Sequence, residues 1–338
     1  METVPVRHAV YASRERTACT AIAAALQAVV EVAFIDTGAS AVADATEGAA
    51  SLLPKADLLI CDTTRPLSQP TAAHARLPRI AVTQLRGRAA RVQMFAALLD
   101  GVDHVCSLVN VEDFRAAVAT VMMPNVVDFG LARFRTEANT KIFQRTIADV
   151  VARNALVQEL VGFCHVRGVA GAALARMQSV VDELVMNAQL DAPRGAAREV
   201  TAAPQVEWMW QDDRLWLAVT DWFGRLNKHA VMTAIDRARE AAGAPNPATA
   251  VGAGLGLFLV MAHVGRFIVQ VQPEQRTEVV CVFDVVAPRS AARTAWRSAP
   301  VDQDDAQANV TATNDGVRAI LFTVIAPTVA APAPTPHA

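Results

Sequence analysis

The chain has 338 residues and a formal net charge of −2 at neutral pH, and 53% of its residues are hydrophobic. This length is enough for about two domains with sizeable apolar cores. The lack of a basic excess argues against nucleic acid as a direct partner. The longest apolar run, residues 250–262, is interrupted by glycines and is too short to span a bilayer, so we expect no membrane association. The five scattered cysteines favour reduced thiols in a cytoplasmic protein.

Short strand patterns alternate with helical patterns over the first part of the chain, and we place a first domain at residues 1–123. The strand candidates are 8–12 (HAVYA), 31–35 (EVAFI), 57–61 (DLLIC), 79–84 (RIAVTQ) and 103–107 (DHVCS). Strands that alternate with helices are typical of a parallel sheet covered on both faces. The sequence therefore predicts an α/β fold.

An aspartate pattern stands at the end of the third predicted strand, where Asp62 is followed four residues later by Pro66. The pattern and the rhythm of the elements resemble the receiver domain of response regulators, a flavodoxin-like fold in which this aspartate accepts a phosphoryl group. Receivers also carry an acidic pair after the first strand and a lysine after the fifth, where this sequence has Ser13-Arg14 and Leu108. Phosphoryl transfer needs a metal and a cation to offset the phosphate charge. We therefore expect a pseudo-receiver used for docking, with Asp62 as a strand-end or turn-capping residue.

Residues 136–161 show a helical period with scattered charges and predict a long helix, within a linker helix region that we place at 124–159. Such helices often form dimers, but the heptad pattern is not sustained over the repeats that a coiled coil needs. A homodimer and a simply packed helix both remain open.

The region from 160 to 288 combines two hairpin patterns with helical patterns. The hairpin strands are 206–210 with 215–220 and 267–271 with 278–286, and the helices are 174–191, 228–242 and 255–265. This combination predicts an α+β domain with a largely antiparallel sheet and helices on one face. Residues 289–338 are of low complexity and we expect them to be mostly disordered, with one candidate strand at 317–325.

Three polar residues, Glu183, Asn187 and Asp191, recur every fourth position in the helical segment 176–193, so they lie in one row. Apolar neighbours indicate that part of the row borders buried surface, where an acid and an amide need partners. A solvated helix face is the ordinary interpretation of this spacing, whereas a Mg²⁺ ion and a water would be suitable buried partners.

Two further motifs follow in the chain. Asp221 ends a predicted strand, where its carboxylate can accept a hydrogen bond from an exocyclic amine. Residues 252–257 (GAGLGL) open an apolar helix. Glycines allow close backbone approach, and a helix N-terminus offers free N–H groups to anions. A flexible loop or a tight packing corner would also explain the glycines, and no strand precedes them as a Rossmann fingerprint requires.

In this order the three motifs resemble the Bergerat-fold ATPases, which include histidine kinases and the anti-sigma-factor serine kinases. The resemblance implies an ATP-binding, Mg²⁺-dependent domain. It implies that Asn187 binds Mg²⁺, that Glu183 is catalytic and acts on the attacking group, and that Asp221 binds the adenine amine. The remaining implied nucleotide-binding residues are Gly224, Gly252, Gly254, Gly256 and Leu257.

Two departures bear on turnover more than on binding. Phe223 stands where the family has its first glycine after the aspartate, and Leu190 stands where kinases often carry a basic residue. Our leading hypothesis is an ATP-binding bacterial signal-transduction protein, an anti-sigma-like serine/threonine kinase that acts on a regulatory protein partner of the sigma/anti-sigma or response-regulator type. The alternatives are a non-catalytic, nucleotide-gated regulatory scaffold and an atypical histidine kinase with an unrecognised acceptor; His165 precedes the asparagine motif, but a histidine at the end of a strand or helix is the ordinary interpretation of it.

Overall fold

The structure, a computed structural model, describes residues 8–13, 22–24, 26, 31–36, 57–63, 78–122, 129–193, 202–233, 255–284 and 317–325. Its strands are β1 (His8–Ser13), β2 (Glu31–Asp36), β3 (Leu58–Asp62), β4 (Arg79–Thr83), β5 (His104–Ser107), β6 (Ile142–Thr146), β7 (Gln205–Gln211), β8 (Arg214–Asp221), β9 (Arg266–Gln272), β10 (Arg276–Asp284) and β11 (Ala319–Val324). They form one sheet in the order β2-β1-β3-β4-β5-β11-β9-β10-β8-β7-β6.

The helices and the mixed sheet together confirm the predicted α/β class. The helices are α1 (Gly87–Leu99), α2 (Val111–Met122), α3 (Val150–His165), α4 (Gly171–Met186) and α5 (Leu255–His263). None of the helices in the described ranges is both long enough and apolar enough to cross a membrane.

The N-terminal half of the sheet is parallel, with the order β2-β1-β3-β4-β5. All five predicted strands are present. The side chains of β4 and β5 are almost all buried, as expected for parallel strands covered on both faces. This order, in which the first strand lies inside the second, is that of doubly wound sheets such as flavodoxin.

The C-terminal half of the sheet is mostly antiparallel, and both predicted hairpins are present. The β7–β8 hairpin turns at Asp212 and Asp213, whose φ angles are 54° and 55°. Two consecutive residues with positive φ define a type I′ turn, which matches the right-handed twist of the flanking strands. The β9–β10 hairpin lies beside it, because β10 pairs with both β8 and β9.

Strand β11 joins the two halves. It pairs antiparallel with β5 and parallel with β9, so the sheet is continuous from β2 to β6. The strand predicted at 317–325 is thus confirmed, and it lies in the interior of the sheet rather than at an edge.

The predicted long helix over 136–161 is wrong in its first half. Residues Ile142–Thr146 form strand β6, which pairs with β7, and the helix begins only at Val150. The Asp149 side chain caps that helix by accepting a hydrogen bond from the Ala152 N–H at 2.8 Å. Phe143 stacks on Trp208 with ring centroids 5.5 Å apart, and this cross-strand contact favours the strand.

Two apolar cores cover the two faces of the continuous sheet. One contains the buried side of α1 together with buried residues of α3, α4 and α5, and the other contains α2 and a short 3₁₀ turn at Leu131–Phe134. The cysteines in the described ranges, which leave out Cys19, form no disulfide and are buried. Each core extends across β11, so the halves share their packing.

A buried ionic cluster reinforces this junction. Asp113 of α2 is fully buried and accepts from Arg266 at 2.7 Å and from Arg318 at 2.6 Å, with Arg214 at 3.1 Å. Burial alone would raise the pKa of the Asp113 carboxyl, but Arg318, Arg266 and Arg214 hold that pKa below its usual value. Asp284 pairs with two of the same arginines. The cluster ties α2 of the N-terminal half to strands of the C-terminal half.

Candidate functional site

Asp221 ends β8, as the sequence predicts, and its carboxylate organises the turn that follows. Its Oδ1 accepts hydrogen bonds from the Phe223 N–H at 2.9 Å and the Gly224 N–H at 3.3 Å. The residue is 8% exposed, and burial raises the pKa of the carboxyl although these N–H donors oppose the shift. A buried acid with an oxygen not used by the turn is suited to receive a hydrogen-bond donor from a ligand.

Gly224 is required by the backbone. Its φ is +63°, and a Cβ added there would overlap the carbonyl oxygen of Gln272 in the β9–β10 turn. The Glu274 N–H donates to the Gly224 carbonyl at 3.2 Å. Phe223, which stands where the resemblance predicts a glycine, is buried at 9% exposure, so the larger side chain fits into the core beside the turn. The turn is therefore stabilised by the buried Phe223 side chain, at a position where the predicted motif has a glycine.

Thr277 is a site residue that the sequence reasoning missed. It lies directly opposite Asp221 in the register between β10 and β8. Its hydroxyl is buried and has no well-formed hydrogen bond among the described residues, although it is close enough to Asp221 to lower the pKa of that carboxyl. An unsatisfied buried hydroxyl next to a buried carboxylate marks a polar spot where a ligand could supply the missing partner. Only the strand register reveals this pairing, so the sequence carries no signal for it.

Glu183 and Gly256, far apart in the sequence, are in direct contact. Glu183 is half-buried on α4, and its carboxylate occupies the place that a Cβ on Gly256 would take. Helices α4 and α5 pack along this line. Any larger residue at 256 would have to displace the Glu183 carboxylate, and the structure thus brings the predicted catalytic acid to the first turn of α5.

Asn187 lies where α4 changes its winding. Residues Asn187–Asp191 form a π turn, in which the Ala192 N–H donates to the Asn187 carbonyl at 2.9 Å. A π turn is rare and is frequent at functional sites. Because this turn is wider than an α turn, the regular four-residue spacing ends at Asn187. The side chains of Asn187 and Glu183 have no hydrogen-bond or ion-pair partner within the described ranges.

The glycine motif is only partly described. Gly252 and Gly254 lie outside the described residues, whereas Gly256 and Leu257 belong to the first turn of α5. Leu257 is half-buried and packs against the core cluster that contains α4. The N–H groups at the start of α5 have no intrahelical partner, which is the usual basis for anion binding at a helix end.

The predicted motifs therefore converge. The π turn packs against β8, which carries Asp221, and α4 packs against α5, which carries Gly256. Among the residues that the structure describes, no group of three or more His, Cys, Asp or Glu side chains could hold a metal. Any Mg²⁺ here would need oxygen ligands from a phosphate as well as from Asn187.

The surroundings of Asp62 are described only in part. Asp62 ends β3 and is half-buried. Nearby, the hydroxyls of Thr63 and Thr83 both donate to Oε1 of Gln93, at 2.9 and 2.6 Å. These hydroxyls are engaged within the fold, and the prediction that Asp62 is not a phosphoacceptor stays a prediction.

A cleft of about 630 Å³ lies at the junction of the two halves, near the Lys228–Asp103 ion pair. It borders Gly224 but includes neither Glu183 nor Asn187. We assign the candidate site to the converging motifs rather than to this cleft, because the motifs carry the groups with unmet bonding capacity.

Comparisons with known proteins do not identify a family. No protein-family model matches the chain, and no curated protein matches it. The solved structures that resemble it include a chain of the SiaB–SiaC complex from Pseudomonas aeruginosa, with 14% sequence identity and a TM-score of 0.32 over 42% of this chain and 88% of that chain. A likeness at this level carries no argument about function.

Proposed function

We propose that the chain binds Mg·ATP between α4, the turn after β8 and the first turn of α5, and that it uses the nucleotide in protein signalling. The observation that carries this proposal is the fit of the Glu183 carboxylate onto Gly256, which brings two distant motifs together. The packing of the π turn against β8 adds the third motif.

The proposed roles follow from the chemistry of each group. Asp221 accepts a hydrogen bond from the adenine amine, and the Thr277 hydroxyl supplies a second polar contact beside it. Asn187 would provide an amide oxygen for Mg²⁺, and the metal would supply positive charge to offset that of the phosphates. The start of α5 lies where its free N–H groups can face the phosphates.

For the activity, we propose phosphoryl transfer to a serine or threonine of a regulatory protein partner. Glu183 lies at the phosphate end of the proposed site, where it can orient the attacking hydroxyl and accept its proton.

The second candidate is a nucleotide-gated scaffold without transfer. It is favoured by Leu190, which is 49% exposed at the π turn where a basic side chain would offset developing negative charge.

Binding is tested first, by titrating Mg·ATP into the full chain in a calorimeter. We expect saturable binding by the unchanged chain and weaker binding by Asn187→Ala. The loss of affinity caused by this substitution should be smaller when both proteins are titrated without Mg²⁺. Absence of binding by the unchanged chain would refute the proposal. If Asn187→Ala lowers the affinity for ATP equally with and without Mg²⁺, Asn187 does not bind the metal.

Turnover is tested with the partner protein recovered from cells and labelled ATP. Acid-stable label on serine or threonine that disappears in Glu183→Gln, while ATP affinity is retained, supports the kinase. Binding without any transfer supports the scaffold. Acid-labile label that requires His165 would support the histidine-kinase alternative.

A further inference from the structure

Every exposed position of α1 whose side chain is described carries an apolar residue. The positions of this helix that are exposed in the described residues are Ala89, Val92, Ala96 and Leu99. Val92 and Leu99 are 48% and 49% exposed, whereas Met94 on the opposite side is fully buried. The helix thus has an apolar face inside and a second row of exposed apolar side chains outside, beside the half-exposed Arg91, and an outer row of this kind is unusual for a surface helix.

The exposed residues follow the spacing of a helix–helix seam. They are separated by three, four and three residues. Alternating intervals of three and four place side chains in one stripe that faces a partner helix. Alanine at two of these positions allows the axes of two helices to approach closely.

The charges at the ends of α1 are the reverse of what a lone helix prefers. Arg86 stands at the N-cap and Asp100 at the C-cap, and the first turn has no acid and the last turn no base. Both side chains are exposed, and neither has an ion pair among the described residues. A basic group at the N-terminus and an acidic group at the C-terminus both oppose the helix dipole.

We propose that α1 is the seam of a homodimer in which the α1 helices of two copies pack antiparallel, with the two-fold axis near Val92. The apolar stripe is then covered by its own copy. Arg86 of each copy faces Asp100 of the other, and each Asp100 lies at the positive end of the opposing helix. A second copy satisfies the stripe and the reversed charges together, whereas a parallel arrangement would place Arg86 against Arg86. This proposal is independent of nucleotide binding.

The stripe is short, so the dimer is weak compared with interfaces that bury roughly 1,200 Å² or more. Sedimentation equilibrium of the full chain should show concentration-dependent dimers at up to about 0.5 mM. Val92→Glu places two carboxylates at the two-fold axis and should abolish the dimer. The control is Val166→Glu, at an 84% exposed position after α3, which should leave the dimer unchanged. Unfolding curves of both variants establish that they remain folded, as their exposure predicts.

Charge exchange tests the antiparallel arrangement. Arg86→Asp and Asp100→Arg each create two like-charge pairs across the axis and should weaken the dimer about tenfold. An equimolar mixture of the two variants restores opposite charges at both ends and should dimerise like the unchanged chain. A monomer at every concentration, or a dimer that survives Val92→Glu, would overturn the proposal. A dimer insensitive to both charge variants would overturn the antiparallel arrangement.

Discussion

Exchange of Asp221 for Asn is the sharpest test of the candidate nucleotide site. The Asn side chain has nearly the same shape, and its oxygen can keep the hydrogen bonds from the N–H groups of Phe223 and Gly224. The turn should therefore persist. What changes is the second carboxylate oxygen, which becomes an NH₂ donor and would face the amine of adenine.

The loss of affinity follows from the kind of bond removed. A hydrogen bond to a charged group contributes about 1.5–3 kcal/mol, so Mg·ATP should bind Asp221→Asn roughly 10- to 150-fold more weakly. Inosine triphosphate carries an oxygen in place of the amine. The unchanged chain should reject it, and the Asn amide, which can donate to that oxygen, should reduce or reverse the preference.

Stability should move in the opposite direction. The folded-state pKa of Asp221 is raised by burial above its unfolded value, so its contribution to stability is complete at low pH and is lost as pH rises through the folded pKa. At neutral pH without nucleotide the variant should be at least as stable as the unchanged chain, and this part of the pH dependence should disappear from its unfolding curves.

Calorimetric titrations with ATP and inosine triphosphate, together with thermal unfolding across pH, measure these effects. Equal affinity of the unchanged chain and the variant for ATP would refute the role of Asp221 in recognising adenine. A variant that is much less stable at neutral pH would show that the carboxylate serves the fold and not a ligand.

Two further predictions concern packing and charge. Gly256→Ala places a methyl group where the Glu183 carboxylate lies, so the affinity for Mg·ATP should fall, and an unchanged affinity would contradict the contact. The matched control is Gly162→Ala in α3, where the methyl group enters open space and should stabilise the chain by about 0.5–1 kcal/mol. Asp113→Asn removes the buried carboxylate that Arg266, Arg318 and Arg214 share and leaves Asp284 as the only acid paired with the last two in the described cluster. It should lower the free energy of unfolding in urea by about 3–5 kcal/mol. Because the folded-state pKa of Asp113 is lowered, its contribution should be lost as pH falls through that pKa, and a loss that grows at high pH instead would contradict this account.

Local patterns predicted most of the individual elements. The five parallel strands are short apolar runs, and the hairpins are marked by polar turns such as Asp212-Asp213. In β6 the local pattern misled, because Glu137, Lys141 and Arg145 recur every fourth position and imitate a helix face. The stacking of Phe143 on Trp208 favours the strand over the helix, and this contact depends on a partner more than 60 residues away in the sequence.

The sequence motifs named the residues of the candidate site, and their role in binding stays a prediction. Glu183, Asn187, Asp221 and Gly256 were identified from spacing and order, but their convergence depends on how α4 packs against β8 and α5. Thr277 could not be found, because it enters the site through strand register alone. A one-residue change of register would turn it to the other face of the sheet.

The interior position of β11 determines the order in which the sheet can form while the chain is synthesised. This strand follows all the other described strands in sequence, yet it lies between β5 and β9. During synthesis the ribosome releases both halves of the sheet before residues 319–324 emerge. Until then β5 and β9 each present an open edge, the kind of surface that recruits strands from other chains. Insertion of one short, late segment therefore seals two aggregation-prone edges at once.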